Sequence, residues 1–178
     1  MRKISRTFKF VLRFGSFFTQ ISTLIFLIGM ILSLRSISGN VNEILFAITA
    51  IIVGIILLWV SLVRANQKIR LIESGKVAKG NFKQWKNSFI SRNNQVLVYL
   101  IYSFTDDRRK KREAYALSSS TNGVETAHIY YNGDHCVVLE YLPGSPRLNN
   151  NKELEISVIS TIFRLIFICL FSLGIAST

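Results

Sequence analysis

Acidic side chains are scarce in this sequence. Ten Asp and Glu stand against twenty-two Lys and Arg, for a formal charge of +12. None of the ten falls inside a long apolar run, so a proton relay within a membrane has no carboxylate to carry it. Cysteine occurs only twice, at Cys136 and Cys169, with no Cys-x-x-Cys spacing. That excludes a disulfide framework and a cysteine zinc site. Histidine also occurs twice, at His128 and His135, without metal-ligand spacing. No metal or cofactor is expected, and with no convergent catalytic set the chain does not read as an enzyme.

Apolar residues are what the chain has in quantity. They make up 49% of it, and the mean hydropathy is +0.34. An ordinary soluble domain of this charge is less apolar. The two facts agree if apolar residues concentrate in bilayer spans and charges flank them. Removing three spans leaves roughly 90 residues for one small domain.

Residues 1–13 carry five positive charges and no negative one, with Phe10, Val11 and Leu12 among them. This reads as a basic segment on the cytoplasmic membrane surface. Residues 14–34 are free of charge and just long enough to cross about 30 Å of hydrocarbon. Ser16, Thr19, Gln20 and Thr23 share a helical face there, which should turn toward another helix rather than lipid. Ser36-Ile37-Ser38 offers a signal-cleavage pattern, but the apolar region is long for a signal core, so an uncleaved span is preferred. Arg35 to Glu43 is a short polar connector. Residues 44–63 form the second span. In it Ala47, Ala50 and Gly54 line one face, and Ala50 with Gly54 makes a small-xxx-small pair suited to packing within a helical hairpin or to a dimer. Trp59 suits an interface.

Residues 64–155 read as a small β-rich domain. Arg64 to Lys79 carries five positive charges, with Ile69 and Ile72 on one side and Gly75 as the stop. Strand periodicity follows. Gln95 to Phe104 is the strongest strand, apolar on both faces and therefore expected at the sheet's centre. A turn at Thr105–Arg108 leads into a returning strand through Glu113–Leu117. Residues 118–123 form a loop, and Val124–Tyr131 a strand or short helix. Asn132-Gly133-Asp134 is a tight turn, and Cys136–Leu142 a further strand. Trp85, Tyr130, Tyr131 and Tyr141 are expected as packing aromatics. Residues 156–176 form a third apolar segment, interrupted by Arg164.

The expected architecture is thus a membrane protein of α+β class. Three transmembrane helices carry a small antiparallel β-rich domain, barrel- or sandwich-like, inserted between helices two and three. Positive charge before the first span and after the second puts the N-terminus and the domain in the cytoplasm of a cell (plasma or inner) membrane, with Thr178 on the far side.

Within the domain, Gly133-Asp134, the strand Val137-Val138-Leu139, and Tyr141-Leu142-Pro143-Gly144-Ser145-Pro146 resemble the bacterial domain of unknown function 3592 family. Ala78-Lys79-Gly80 resembles that family's first strand, and Tyr99 to Phe104 its aromatic central strand. The resemblance covers about residues 70–150. His135-Cys136 and the basic run Arg108–Arg112 depart from the pattern. The resemblance implies a small β-rich domain anchored by helices, and brings no activity, catalytic residue or cofactor.

Three features are candidate sites. Arg108, Arg109, Lys110, Lys111 and Arg112 form a run of five cations. It could dock on anionic lipid, contact phosphates of nucleic acid, or remain a solvated hairpin tip. Nucleic acid is disfavoured because no stacking platform accompanies the run. Arg164 lies at a depth similar to Gln20, so a hydrogen bond from Arg164 to Gln20 and Thr23 would fasten the third helix to the first; the alternative is snorkelling to the headgroups. Asp134, His135, Cys136 and His128 are chemically suggestive, but neighbours on a strand point to opposite faces, so His135 cannot easily activate Cys136. The expected function is a protein-interaction or assembly module, binding a protein partner or a second copy at the membrane lipid. An anionic-lipid or ligand sensor is the alternative, and a membrane enzyme or transporter comes third.

Overall fold

The computed structural model describes residues 4–35, 41–92, 95–148 and 154–177, and divides into two compact units. Residues Ser5–Gln67 with Ser157–Thr178 make a helical unit, and Lys68–Ile156 the body of a β-rich one. The proposed cleavage pattern at 36–38 lies outside the described residues.

The helical unit begins with α1 (Arg6–Phe14). Ser5 caps it, its hydroxyl accepting from the Phe8 amide at 3.1 Å. Phe8, Val11 and Leu12 are buried on one helical face, while Arg6 and Arg13 stay exposed. The basic segment therefore packs its apolar face against protein. Arg13 Nε donates to Asn66 Oδ1 at 3.0 Å. The apolar run expected from Phe14 is broken at Gly15-Ser16, and α2 spans Phe17–Arg35. Gln20 Nε2 donates to the Phe14 carbonyl at 3.3 Å, which supplies a partner to an otherwise orphaned end of α1.

A single helix, α3 (Val41–Ser74), follows, and α4 (Ile159–Ser177) closes the chain. α2 packs against α4. α2 meets α3 at two glycines. A Cβ on Gly54 would lie 2.8 Å from the Phe26 Cα, and one on Gly29 would lie 2.8 Å from the Ile51 amide nitrogen. The Gly54 position thus serves hairpin packing.

Polarity in this unit runs inside out. Thr19, Gln20, Ser22, Thr161 and Ser172 are buried, while Leu45, Phe46, Ile56, Trp59, Phe163 and Phe167 are exposed. A water-soluble bundle does the reverse. Two helices, α2 and α3, are long and apolar enough to cross a membrane; the apolar stretch of α4, Ile159–Gly174, is shorter. Only 11% of the most apolar stretch of α3 is buried, an exposure suited to a lipid or protein covering.

The last turns of α3 belong to the β-rich unit, with Ile69 and Ile72 buried. Gly75 lets the helix become a strand at once. A Cβ there would sit 2.2 Å from the Leu71 carbonyl oxygen and 3.1 Å from that of Tyr131. Five antiparallel strands follow: β1 (Lys76–Arg92), β2 (Gln95–Thr105), β3 (Lys111–Ser118), β4 (Thr126–Asn132) and β5 (His135–Val138), in the order β3-β2-β1-β4-β5. A two-stranded ladder of β6 (Arg147–Leu148) and β7 (Leu154–Glu155) stands apart. β3 and β5 approach each other, so the sheet is a nearly closed barrel.

One face of the sheet forms the core: Val98, Leu100, Tyr102 and Phe104 from β2, Ala114 and Ala116 from β3, Ala127, Ile129 and Tyr131 from β4. The centre of the sheet is β1, not the expected Gln95–Phe104 strand. On the outer face of β2 only Ile101 is fully buried, and Tyr99 is exposed. The two-sided apolar pattern therefore overstated its burial. The segment Val124–Tyr131 resolves as a strand. The strand expected over Cys136–Leu142 stops at Val138, and residues Leu139–Tyr141 form a 3-10 turn. That turn buries Leu139 and sets the Tyr141 hydroxyl 2.8 Å from that of Tyr102 and 3.0 Å from the Val124 amide, which donates to it. Glu140 accepts from the His128 amide at 2.9 Å and faces His128 Nδ1 at 2.8 Å.

β1 and β2 outrun their neighbours. Pairing with β4 ends at Asn81 and pairing with β3 at Val98, while β1 and β2 stay paired out to Arg92 and Gln95. The result is a projecting two-stranded arm, with register shifts between Phe82 and Gln84 and between Asn87 and Ser91. Trp85, expected to be packed, is exposed at the base of this arm. Phe89, Ile90 and Val96 lie farther out and are also exposed.

Candidate functional site

The strand register decides which loops share an end of the barrel. β1 starts at Lys76, opposite Tyr131 near the end of β4, and β2 ends at Thr105, opposite Lys111 at the start of β3. The basic hairpin tip, the Gly133-Asp134 turn and the junction with α3 therefore lie at one end. The arm points to the other.

Asp106 builds the tip. Its side chain is 2% exposed, and Oδ1 accepts from the Arg108 and Lys110 amides at 2.9 and 2.8 Å. Oδ2 accepts from Arg112 Nε at 2.7 Å. Arg109 is held at φ 58, a left-handed conformation that side-chain-bearing residues rarely adopt. The turn thus tightens around one carboxylate. Asp107 accepts from Lys76, and its amide donates to the Tyr131 hydroxyl at 3.0 Å.

The five cations divide into two groups. Arg112 turns back across the gap between β3 and β5. Its Nη1 donates to the Gly133 carbonyl at 2.8 Å and to Asp134 at 2.9 Å. It is a structural staple and leaves the expected contact run. Arg108, Arg109, Lys110 and Lys111 are exposed, and none of these four has an ion-pair partner among the described residues. Arg112 and Lys76 engage the three neighbouring carboxylates Asp106, Asp134 and Asp107, so with the four exposed cations six positive charges stand against three negative ones and the tip keeps a positive excess.

Electrostatics follow the geometry. The Lys110 amide, with Arg112 and the Arg108 amide, holds the Asp106 carboxyl below its ordinary range, against the opposing effect of burial. Lys76 does the same for Asp107, and Lys83 for Glu113. A carboxylate depressed on folding stabilises the fold above its unfolded pKa, about 3.9 for Asp, and that contribution vanishes as pH falls through the lower folded value. The tip should therefore stay ordered near neutrality and loosen only in acid below about pH 4. The check is the pH titration of the Lys110 amide by NMR: an acidic inflection is expected, and Asp106→Asn should abolish it.

A cleft of about 220 Å³ opens beside the staple, lined by Phe104, Arg112, Glu113, Gly133, Asp134 and Cys136. Cys136 Sγ lies 3.8 Å from the Glu113 carbonyl, and burial pushes its thiol pKa up, away from a reactive thiolate. His128 Nδ1 lies 2.8 Å from Glu140 Oε1, and the contact of Cys136 Sγ is with the Glu113 carbonyl, so the side chains do not form a cysteine–histidine pair among the described residues. No group of three or more His, Cys, Asp or Glu able to hold a metal occurs among the described residues.

The proposed Arg164 contact is not made. Gln20 is committed to the Phe14 carbonyl, Thr23 Oγ1 donates to the Thr19 carbonyl at 2.8 Å, and Arg164 is exposed on α4. The polar stripe of α2 does turn inward, as expected; Gln20 and Thr23 donate to backbone carbonyls, while the buried Thr19 hydroxyl has no hydrogen-bond partner among the described residues. The arm escaped sequence reasoning. Its signal was present, however: Phe89-Ile90 continues the strand well past Lys86. Comparison of the chain with protein-family models, with curated proteins and with solved structures returned no match.

Proposed function

We propose that this chain is a three-span membrane protein, with α2, α3 and α4 in the bilayer and the barrel on the cytoplasmic side. The barrel serves as a protein-interaction module. The inside-out polarity of the helical unit supports the membrane part. Charge counting supports the sidedness, with five positive charges in residues 1–13 and five more in Arg64–Lys79. A small β domain between anchoring helices is also what the resemblance to the domain of unknown function 3592 family implies.

The observation that carries the interaction role is the arm. Phe89 is 109% exposed, with Trp85, Ile90 and Val96 also uncovered. The 17 residues of β1 span about 55 Å, so the arm reaches far from the barrel end that receives α3. Apolar side chains there face water, and a protein surface is the partner that would cover them. Lys86, exposed beside Trp85 at the base of the arm, favours a partner with an apolar groove rimmed by carboxylates.

The test is co-purification of the full chain in mild detergent, with and without Phe89→Asp and Trp85→Ala. A stoichiometric second protein, lost in both variants, is the expected result. A complex unchanged by both variants overturns the role of the arm. Loss of a homo-oligomer instead would make the partner a second copy and overturn the acidic-rim partner.

A further inference from the structure

We propose that the exposed tip Arg108-Arg109-Lys110-Lys111 docks on anionic phospholipid headgroups of the membrane that α3 crosses. This rests on the reading of α3 as a transmembrane helix. It assigns the tip a partner distinct from that of the arm.

Three observations converge. The tip presents four exposed cations, while the nearby carboxylates Asp106, Asp107 and Asp134 are consumed by Arg112 and Lys76. Six cations against three carboxylates leave an excess of three positive charges at this end, carried by side chains that face outward. The turn is also preorganised. Asp106 accepts two backbone amides and one guanidinium, and Arg109 is fixed in a left-handed conformation. The cations are displayed by a turn with little entropy left to lose on docking.

The third observation is position. A single residue, Gly75, separates the end of α3 from the start of β1, and the tip lies beside Lys76 at that same end of the barrel. α3 runs unbroken from its apolar stretch to Ser74. From Val63 to Ser74 the helix rises only about 16 Å. Lys68 and Arg70 lie on this stretch and are exposed. The tip and these two residues thus gather cations at the α3 end of the β-rich unit, the end joined to the helix read as crossing the bilayer. Nucleic acid shares the phosphate chemistry, but the exposed aromatics Trp85 and Phe89 that could stack bases sit on the arm, at the opposite end of the barrel.

The experiment uses the full chain in lipid nanodiscs. Cys136 and Cys169 are replaced by Ser, and an environment-sensitive fluorophore is placed on Thr105→Cys beside the tip. Discs contain phosphatidylcholine alone, or with about 30% phosphatidylglycerol, and carry headgroup-attached quenchers. Quenching should rise in the anionic discs and fall again at about 0.5 M salt. Charge reversal by Arg108→Glu with Lys110→Glu leaves the Asp106 bonds in place, since those use backbone amides. Each cation lost should lower tip occupancy about fivefold. Equal quenching in both lipids overturns the proposal, as does quenching that the reversal leaves unchanged. Displacement of the tip from anionic discs by equimolar duplex RNA would assign it to nucleic acid and overturn it too. Failure of the chain to co-purify with discs would instead sink the membrane reading beneath it. The salt response of the parent protein keeps the test decisive should the reversal variant misfold.

Discussion

Leu100→Ala should cost the barrel about 2–5 kcal/mol. Leu100 is 0% exposed, on the core face of β2 between Val98 and Tyr102. Ala116 stands directly opposite on β3, and the next core position along β3, Ala114, is also alanine. Leu100 therefore supplies volume that its neighbours cannot. Truncation leaves a cavity walled by short side chains with little freedom to collapse into it. For a domain of this size, each 1 kcal/mol shifts the melting temperature by about 4–8 °C. A fall of about 10 °C or more is expected in the onset of barrel proteolysis on heating the detergent-solubilised protein. The control is Tyr99→Ala, one residue away on the outer face, where the side chain is exposed; that change should move the midpoint far less. Equal effects from the two would contradict the assignment of the core to one face.

The second large effect belongs to the helices. Gly54→Leu should drive α2 and α3 apart, at a cost of about 1–3 kcal/mol. A Cβ alone would come within 2.8 Å of the Phe26 nitrogen and Cα and 2.9 Å of its Cβ. Backbone atoms cannot swing aside as a flexible side-chain tip can. Ala50→Leu, on the same stripe but only half-buried, should be milder. Thermal unfolding and limited proteolysis of the detergent-solubilised protein report the packing: both should show a clear loss after Gly54→Leu and a smaller one after Ala50→Leu. If Gly54→Leu leaves both thermal stability and protease resistance unchanged, the hairpin contact is not what this glycine serves.

Much of this architecture is legible from the residues. Long apolar runs, their flanking charge and the strand-rich middle can be read directly, because hydrophobic periodicity and length are local properties. Gly75 as the end of the helix, and the Gly133 turn, follow from chemistry within a few residues. The misreadings have two causes. Gln20 looks as if it awaits a distant partner, because nothing in the sequence says that α1 ends six residues earlier with a carbonyl to be satisfied. Arg112 looks like one of five equivalent cations until β3 and β5 come together and Asp106 and Asp134 converge on it. The Cys136 strand is cut short because Leu139 and Tyr141 fit the core better through a 3-10 turn than by continuing the ladder. The Arg112 bond to Asp134 and the Tyr141 bond to Tyr102 join segments remote in sequence, while Gln20 turns on a helix break that hydrophobic periodicity does not mark.

The passage from α3 into β1 through the single residue Gly75 has a mechanical consequence. β1 is the middle strand, hydrogen-bonded to β2 on one side and β4 on the other. A tension applied along α3 is therefore delivered to the centre of the sheet. It must shear two ladders together, eight residue pairs against β2 and six against β4, rather than peel one edge strand off pair by pair. Attachment through β3 or β5 would have made an unzipping handle. Attachment through β1 makes the barrel resist as a unit, and a load applied at Lys76 is carried through the sheet along the same strand that forms the arm.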